Sequence, residues 1–147
     1  MITCNFPDGN EAKLRHCSVD TIVFNTAKTK ILLVLRSKTL ISAPGKWALP
    51  GGYLDRDENI QQGASREVLE ETGYSLIQIE ISHFSDDPAR TSDGIQNVGF
   101  FCKATADKKI QEPDDESEKV MWFDLNDLPA ESDFAFDHYE TIKIYAK

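Results

Sequence analysis

The sequence predicts an α/β domain in which a mixed sheet lies between helices. Three observations predict it. Short runs rich in β-branched and apolar residues recur at 17–24, 31–35, 76–84, 97–104 and 120–123. Polar or Gly/Pro-containing stretches separate them, as turns separate strands. Between the second and third runs, the stretch Trp47–Tyr74 passes through Pro50-Gly51-Gly52 and a charged turn into a helix with the apolar row Ile60, Ala64 and Val68. That spacing puts three side chains on one helix face. Near the C-terminus, Tyr139, Ile142 and Tyr145 recur in three-residue steps, which marks a second helix.

The elements follow in order. Residues 1–15 are mixed and are punctuated by Pro7 and Asp8-Gly9, which predicts a short strand or loose arm with a turn. Val19, Thr21, Ile22 and Val23 make Cys17–Phe24 a strand, and the polar turn Asn25–Lys30 leads into the apolar strand Ile31–Leu35, so the pair reads as a hairpin. Lys38–Lys46 is a loop, and its Gly45-Lys46 lacks the spacing and following hydroxyl of a phosphate-binding P-loop. Trp47, a packing residue, and Leu49 lead into the glycine pair. Gly73 closes the helix as a C-cap. Leu76–Ile81 alternates loosely and continues as a strand to Phe84. The polar loop Ser85–Gly94 precedes a strand at Asn97–Ala104. Asp107–Lys119 is a charged connection, Val120–Phe123 a strand and Asp124–Pro129 a turn or single helical turn. Phe136–Lys147 is the terminal helix, started by Asp133 or Asp137. With no internal repeat, low-complexity segment or linker, residues 1–147 read as one domain, and 1–16 as a peripheral N-terminal arm.

Composition narrows the classes. A chain of 147 residues suits one domain with a sizeable core. Lys and Arg number 16 against 25 Asp and Glu, a net charge of −9. That argues against a general nucleic-acid binder, whose footprint is basic, and no binding to duplexes is expected. It also means that an anionic substrate is repelled unless cations mediate. No basic and apolar leader follows Met1-Ile2-Thr3, and no apolar run approaches about 18 residues, so no membrane association is expected. Cys4, Cys17 and Cys102 form neither a disulfide framework nor a zinc pattern. They read as small packed residues in a reducing cytoplasm.

Glu67, Glu70 and Glu71 lie three and four residues apart and project from one face of the first helix. Like charges so placed repel by a few tenths of a kcal/mol per pair. Beside the buried row Ile60-Ala64-Val68, an unpaired charge is costly. Arg66 offsets part of the charge, but one guanidinium does not balance three acids. Either the acids form a solvated face, or they hold a hard divalent cation that takes oxygen ligands. The surroundings favour the second reading. Gly51-Gly52 lets backbone approach a ligand closely, and amides near a helix start favour anions. A plain calcium-binding loop is excluded by the absence of EF-hand spacing.

Gly52, five residues, Glu58, seven residues, Arg66-Glu67-Val68, Glu70-Glu71 and Gly73-Tyr74 together resemble the Nudix box, GX5EX7REUXEEXGU, with every fixed position filled. Asp57 stands where the family often has Gly, and Asp tolerates left-handed backbone better than most residues. The resemblance covers roughly residues 17–147. It implies the Nudix fold, an α/β/α sandwich with a mixed β-sheet. It also implies a metal-dependent pyrophosphohydrolase that cleaves a nucleoside diphosphate linked to another moiety, with Mg²⁺ as cofactor and Mn²⁺ as a substitute. Carried over by position, Glu70 and Glu71 are metal ligands, and Glu67 is a ligand or the water-activating base. The Gly51 carbonyl completes the shell, Arg66 orients a glutamate, and Glu58 is an outer-shell or weak ligand. Gly52 and Gly73 are structural.

Outside the box, relatives place an extra carboxylate before the Val120 strand, so Glu116 or Glu118 is the candidate general base. The other reading of Glu112, Asp114, Asp115, Glu116 and Glu118 is a solvated acidic loop. Arg36 is either a surface charge or a residue near the substrate phosphates. The loop Asp87-Pro88-Ala89-Arg90 is similar to loops in ADP-ribose-handling members, although Thr91-Ser92-Asp93 departs from the Asp-Pro-Arg found there. Arg90 meets a phosphate or terminal ribose, or it pairs with Asp86 or Asp87. Phe84, Phe100 and Trp122 are core residues or stack on a base. The resemblance thus points to ADP-ribose or a related nucleoside diphosphate sugar or dinucleotide. The alternative substrate is a nucleoside triphosphate, normal or oxidised. A non-catalytic nucleotide-sensing domain is disfavoured by the intact glutamates and the lack of a basic helix-turn-helix. The expected partner is a small nucleotide, and a homodimer is expected on family grounds alone.

Overall fold

The computed structural model describes residues 2–90 and 96–146, so the reading of Thr91-Ser92-Asp93 falls outside the described residues. Among these residues the chain forms β1 (Ile2–Asn5), β2 (Glu11–Leu14), β3 (His16–Phe24), β4 (Lys30–Arg36), β5 (Trp47–Ala48), β6 (Gly51–Tyr53), α1 (Ile60–Thr72), β7 (Tyr74–Ser85), β8 (Asn97–Lys109), β9 (Ser117–Asp124), a 3-10 turn at Glu131–Asp133 and α2 (His138–Tyr145). The strands β1 and β2 pair with each other as a separate two-stranded sheet, turning at Pro7-Asp8-Gly9.

The remaining strands make one sheet in the order β5-β4-β3-β8-β7, with β6 added to β3 and β9 to β4. Only β3 and β8 run parallel among the described pairs, so the sheet is mixed. Period-two alternation then sorts the side chains. Ile22, Phe24, Ile31, Leu33 and Phe101 pack with Phe134 and Ile142 on the α2 side. Val23, Leu32 and Ala106 pack with Val68, and Val19 and Cys102 with Ala64, on the α1 side. A helix covers each face, which is the α/β/α sandwich. The apolar row of α1 turns inward, with Ala64 and Val68 fully buried.

Several boundaries differ from the sequence reading. The strand β8 continues to Lys109, inside the stretch read as a charged connection, because β7 offers it a partner over its whole length, from Ser85↔Gly99 to Tyr74↔Lys109. The connection shrinks to residues 110–116. Asp124–Pro129 is a turn, and the helical turn falls at Glu131–Asp133. Helix α2 starts at His138, and Asp137 occupies its N-cap without a capping hydrogen bond. The Asp137 carboxylate is turned to Arg90 instead: its Oδ2 accepts from Arg90 Nε at 2.8 Å, and Oδ1 is buried with no hydrogen-bond partner among the described residues. Asp57 needs no left-handed backbone, since positive φ among the described non-glycine residues is confined to Lys28, Ala43, Gln78 and Phe136. The family's glycine preference there has no conformational counterpart in this chain.

Helix α1 is bounded at both ends. Asn59 accepts from Gln62 N, and Gln62 Oε1 accepts from Asn59 N, a capping box. At the other end Gly73 adopts φ 78 and donates its N–H to Leu69 O at 2.9 Å. A Cβ on Gly73 would also overlap the Gln111 carbonyl oxygen. Gly73→Ala is therefore expected to destabilise the chain by about 2 kcal/mol or more. A lower urea midpoint at unchanged m-value would register this.

Candidate active site

The carboxylates of α1 have different fates because they sit at different angles around the helix. Glu71 follows Ala64 and Val68 at helical spacing and so faces the sheet, where it is 4 % exposed. It is received there by the Gly51 N–H, which donates to Oε2 at 3.0 Å. Burial pushes the Glu71 carboxyl well above the usual range, and the Gly51 N–H draws it partly back. The Glu67 side chain is 13 % exposed and Glu70 is 48 % exposed. Burial likewise raises the Glu67 carboxyl; Arg66 opposes this, whereas Glu70 and Glu116 add to it by repulsion. Gly52 is what lets Glu67 lie so close to β6. A Cβ on Gly52 would stand 2.6 Å from Glu67 Oε1.

Arg66 joins the group. Its Nε and Nη2 donate to the two oxygens of Glu58 at 3.0 and 2.6 Å, a bidentate fork. Nη1 donates to Glu67 Oε1 at 2.7 Å and Glu70 Oε2 at 3.1 Å, and Nη2 also to the Tyr53 carbonyl at 2.9 Å. Glu58 further accepts from Asp55 N at 2.8 Å, and its bond to Arg66 holds its carboxyl below the usual range. Arg66 thus fixes two helix glutamates and ties them to the turn before the helix. One guanidinium serves three glutamates, and it does not reach Glu71 with a hydrogen bond.

The acidic loop contributes selectively. Glu116 is exposed, and its carbonyl accepts from Ser37 N at 2.8 Å, which ties the loop to the end of β4. Asp114 N donates to Glu70 O at 2.9 Å, and the Asp114 charge adds to the rise at Glu71. Glu118 is exposed on β9, and its side chain makes no hydrogen bond or ion pair among the described residues. The site therefore gathers Glu67, Glu70, Glu71, Glu116 and Asp114, and leaves Glu118 aside. Sequence reasoning counted Asp114 only as part of an acidic run.

The two arginines outside the box are placed as follows. Arg36 Nε and Nη2 donate to Ser42 O at 3.1 and 3.0 Å, and its Cζ lies 5.3 Å from the Phe136 ring centre. It is near enough to favour the ionised forms of Asp20 and Glu71. The Arg90 side chain is 8 % exposed and pairs with Asp137, 47 residues away, in place of Asp86 or Asp87. Its Cζ sits 5.0 Å from the Phe101 ring centre, a contact that only the folded sheet supplies. Trp122 packs edge-on to Tyr74 and with the Val23 cluster, Phe100 is half-buried, and Phe84 is exposed on the edge strand β7. A separate cavity of about 460 Å³ lies at the far end of β3, beside Phe24, Lys28 and Lys103, away from these groups.

A second buried group lies on the opposite face. Asp20 is buried, and burial pushes its carboxyl up to about 7 against the pull of Arg90. His138 Nε2 is 3.5 Å from Asp20 Oδ1, and His138 Nδ1 accepts from Leu49 N at 3.0 Å. Burial takes His138 down to about 3. An imidazole that accepts at Nδ1 carries its proton on Nε2, toward Asp20. Leu49 stands two residues before Gly51, and the Pro50 carbonyl accepts from Thr21 N at 2.9 Å. The segment Leu49–Gly51 is thereby held from β3, α1 and α2 together. Asp20 is a lone acid in the β-branched run 19–23, a signal that was visible in the sequence; His138 carried none.

The donor set fits a divalent cation: the oxygens are hard, Glu67 and Glu71 are desolvated, and the one guanidinium among them is shared by Glu58, Glu67 and Glu70 and makes no hydrogen bond to Glu71. Among the described residues no three His, Cys, Asp or Glu side chains already converge on one point. Arg66 draws Glu67 and Glu70 to itself, and a Mg²⁺-like ion takes few carboxylates beside water and phosphate oxygens.

Known proteins resemble this chain in sequence and in fold. A model of the NUDIX domain matches residues 14–144. The chain is 34 % identical over 69 % of its length to "Putative nudix hydrolase 1" of Caenorhabditis elegans, but spans only 26 % of that protein. It is 32 % identical over 80 % of its length to an ADP-ribose pyrophosphatase of Methanocaldococcus jannaschii, spanning 66 % of it. Among solved structures, the NUDIX domain of Shewanella oneidensis NrtR complexed with ADP ribose superposes with a TM-score of 0.75 at 28 % identity, covering 94 % of this chain and 89 % of that one. A bifunctional NMN adenylyltransferase/ADP ribose pyrophosphatase of Francisella tularensis, complexed with AMP and a Mn ion, gives 0.70 at 25 % identity, covering 90 % of this chain and 41 % of that one. No helix among the described residues is long and apolar enough to cross a membrane.

The buried Asp20–His138 pair generates a pH prediction. Between about pH 4 and 6.5 the folded chain holds Asp20 protonated and His138 neutral, whereas the unfolded chain has an ionised carboxylate and a protonated imidazole. The proton counts match, so the pair adds little slope to stability. Asp20→Asn leaves only His138. The unfolded state then binds the extra proton, and stability falls as pH drops from about 6.5 toward 4. His138→Asn leaves only Asp20, and stability falls instead as pH rises from about 4 to 7. Each slope approaches about 1.4 kcal/mol per pH unit relative to wild type, read from urea midpoints across that range.

Proposed function

The chain belongs to the NUDIX domain family, and on that footing we propose that it is a divalent-cation-dependent pyrophosphohydrolase acting on a nucleoside diphosphate linked to a second moiety. ADP-ribose, or a related nucleoside diphosphate sugar or dinucleotide, is the proposed substrate. The observation that carries this reading is the charge deficit on α1. Glu67 and Glu71 are desolvated beside Gly51 and Gly52, with Arg66 already shared among Glu58, Glu67 and Glu70. The names of similar proteins support the substrate, since the archaeal relative and both structural neighbours carry ADP-ribose in theirs. The three unbridged cysteines fit the reducing cytoplasm proposed as its location.

Glu70 and Glu71, with the Gly51 carbonyl, and with Glu67 where it is not the base, would hold Mg²⁺, or Mn²⁺ in its place. A bound dication neutralises pyrophosphate charge and makes a water more acidic. The chain's own residues do the rest. Arg66 fixes Glu67 through Oε1 and leaves Oε2 to take a proton from the attacking water. The raised range of Glu67 suits that task, because a base works best when its pKa approaches the working pH. Glu71 accepts the Gly51 N–H and so sets the orientation of the β6 backbone. Arg36 supplies positive charge from the end of β4 toward a phosphate. Glu116, whose charge reaches Glu67, is the second candidate base.

Binding without turnover is the competing reading, and the neighbour complexed with ADP ribose itself favours it. A nucleotide panel with Mg²⁺, products identified by mass, separates the two. The proposal expects nucleoside monophosphate release from ADP-ribose, loss of release in chelator, and recovery with Mg²⁺ or Mn²⁺. Glu67→Gln is expected to lower kcat by about 10²–10⁴-fold, and Glu70→Gln to cost several kcal/mol of transition-state stabilisation, both with the fold intact by circular dichroism. Tight binding with no release under any divalent metal would favour the second reading.

A further inference from the structure

Phe136 is held at φ +54, outside the ordinary range of a bulky residue. Such strain persists where the surroundings over-determine it, and the neighbours of Phe136 do so. Phe134 is in the core, and Ala135 N donates to Trp47 O at 2.8 Å. Asp137 binds Arg90, and His138 receives the Leu49 N–H. Four inward anchors leave Phe136 to point outward, and it remains 41 % exposed.

The backbone does not call for this residue: a glycine would adopt the same conformation freely, whereas Phe136, its ring partly covered by Arg36 and His138, remains 41 % exposed. The ring is set against two fixed side chains. The Arg36 guanidinium carbon lies over it at 5.3 Å, and the His138 ring meets it at 60° with centres 5.2 Å apart. Arg36 is itself fixed by the Ser42 carbonyl, and His138 by Leu49. Both lead to the catalytic end of the sheet: Ser37, next to Arg36, holds the Glu116 carbonyl, and Leu49 precedes Gly51.

We propose that Phe136, bracketed by Arg36, is the stacking platform for the planar base of the nucleotide, and so determines specificity for nucleotides over base-free phosphosugars. This rests on the nucleotide reading above. Base–aromatic stacking has the required character: it accepts any base, and its removal weakens binding measurably.

The test uses the full chain with Mg²⁺ and two probes, AMP and ribose 5-phosphate, in titration calorimetry. Phe136→Gly is expected to keep the wild-type fold by circular dichroism, to weaken AMP binding about tenfold or more, and to leave ribose 5-phosphate binding unchanged. Phe136→Trp is expected to keep AMP affinity, and its fluorescence to be quenched by AMP beyond the response of Trp47 and Trp122 in wild type, with no such quenching by ribose 5-phosphate. The proposal is overturned if Phe136→Gly binds AMP like wild type, if it loses both probes by the same factor, or if the introduced indole does not respond while AMP is bound. If wild type binds neither AMP nor ADP-ribose, the nucleotide reading itself falls and takes this one with it.

Discussion

The Arg66 guanidinium, divided among Glu58, Glu67 and Glu70, is the interaction on which the site depends. It solves a local problem: a helix that carries acids on one face and buries the adjacent face would otherwise place unpaired charge at the edge of a low-dielectric layer. Its planar fork also sets directions that an ammonium would not. The bidentate bond to Glu58 anchors Arg66 to the turn before α1, so the remaining nitrogen is aimed at Glu67 and Glu70. The solution is incomplete, since Glu71 is left to the Gly51 N–H and Glu67 keeps one oxygen without a hydrogen-bond partner among the described residues. That residual demand for positive charge is what gives the helix a chemical use.

The two faces of the sheet meet through the short segment between β5 and β6. Leu49 is held by His138, Pro50 by Thr21, and Gly51 by Glu71. Backbone that offers a carbonyl to a ligand must be rigid, and here α1, β3 and α2 each supply a bond to it. The bond from α2 is bought with a buried Asp–His pair. Desolvation shifts both members toward their neutral forms, so below about pH 6.5 the pair orients the loop with little charge in the core.

The segment Phe134–His138 works in the same way. In five residues it fills the core, bridges to Trp47, takes up Arg90, exposes a strained aromatic ring and fixes Leu49. Asp137 turns its carboxylate to Arg90 and makes no capping hydrogen bond to α2. A helix start that propensity alone would favour is thus given up for a tertiary ion pair, an instance of local preference yielding to long-range contact.

Much of the fold was legible in the chain, because periodicity and turn chemistry act over neighbouring residues. The row Ile60-Ala64-Val68, the hairpin from Cys17 to Leu35, the glycine that ends α1 and the spacing of Glu67, Glu70 and Glu71 all follow from local geometry. The grouping of carboxylates around one arginine was legible for the same reason, since Arg66, Glu67 and Glu70 share a helix. What only the tertiary structure decided are pairings between residues far apart in the chain: Arg90 with Asp137, His138 with Leu49 and Asp20, and Phe136 with Arg36. The extent of β8 belongs with them, because a strand's length is set by its partner. The physical reason is the same throughout: spacing along the chain determines which face a side chain occupies, but burial and partnership depend on what the folded sheet and α2 bring against that face.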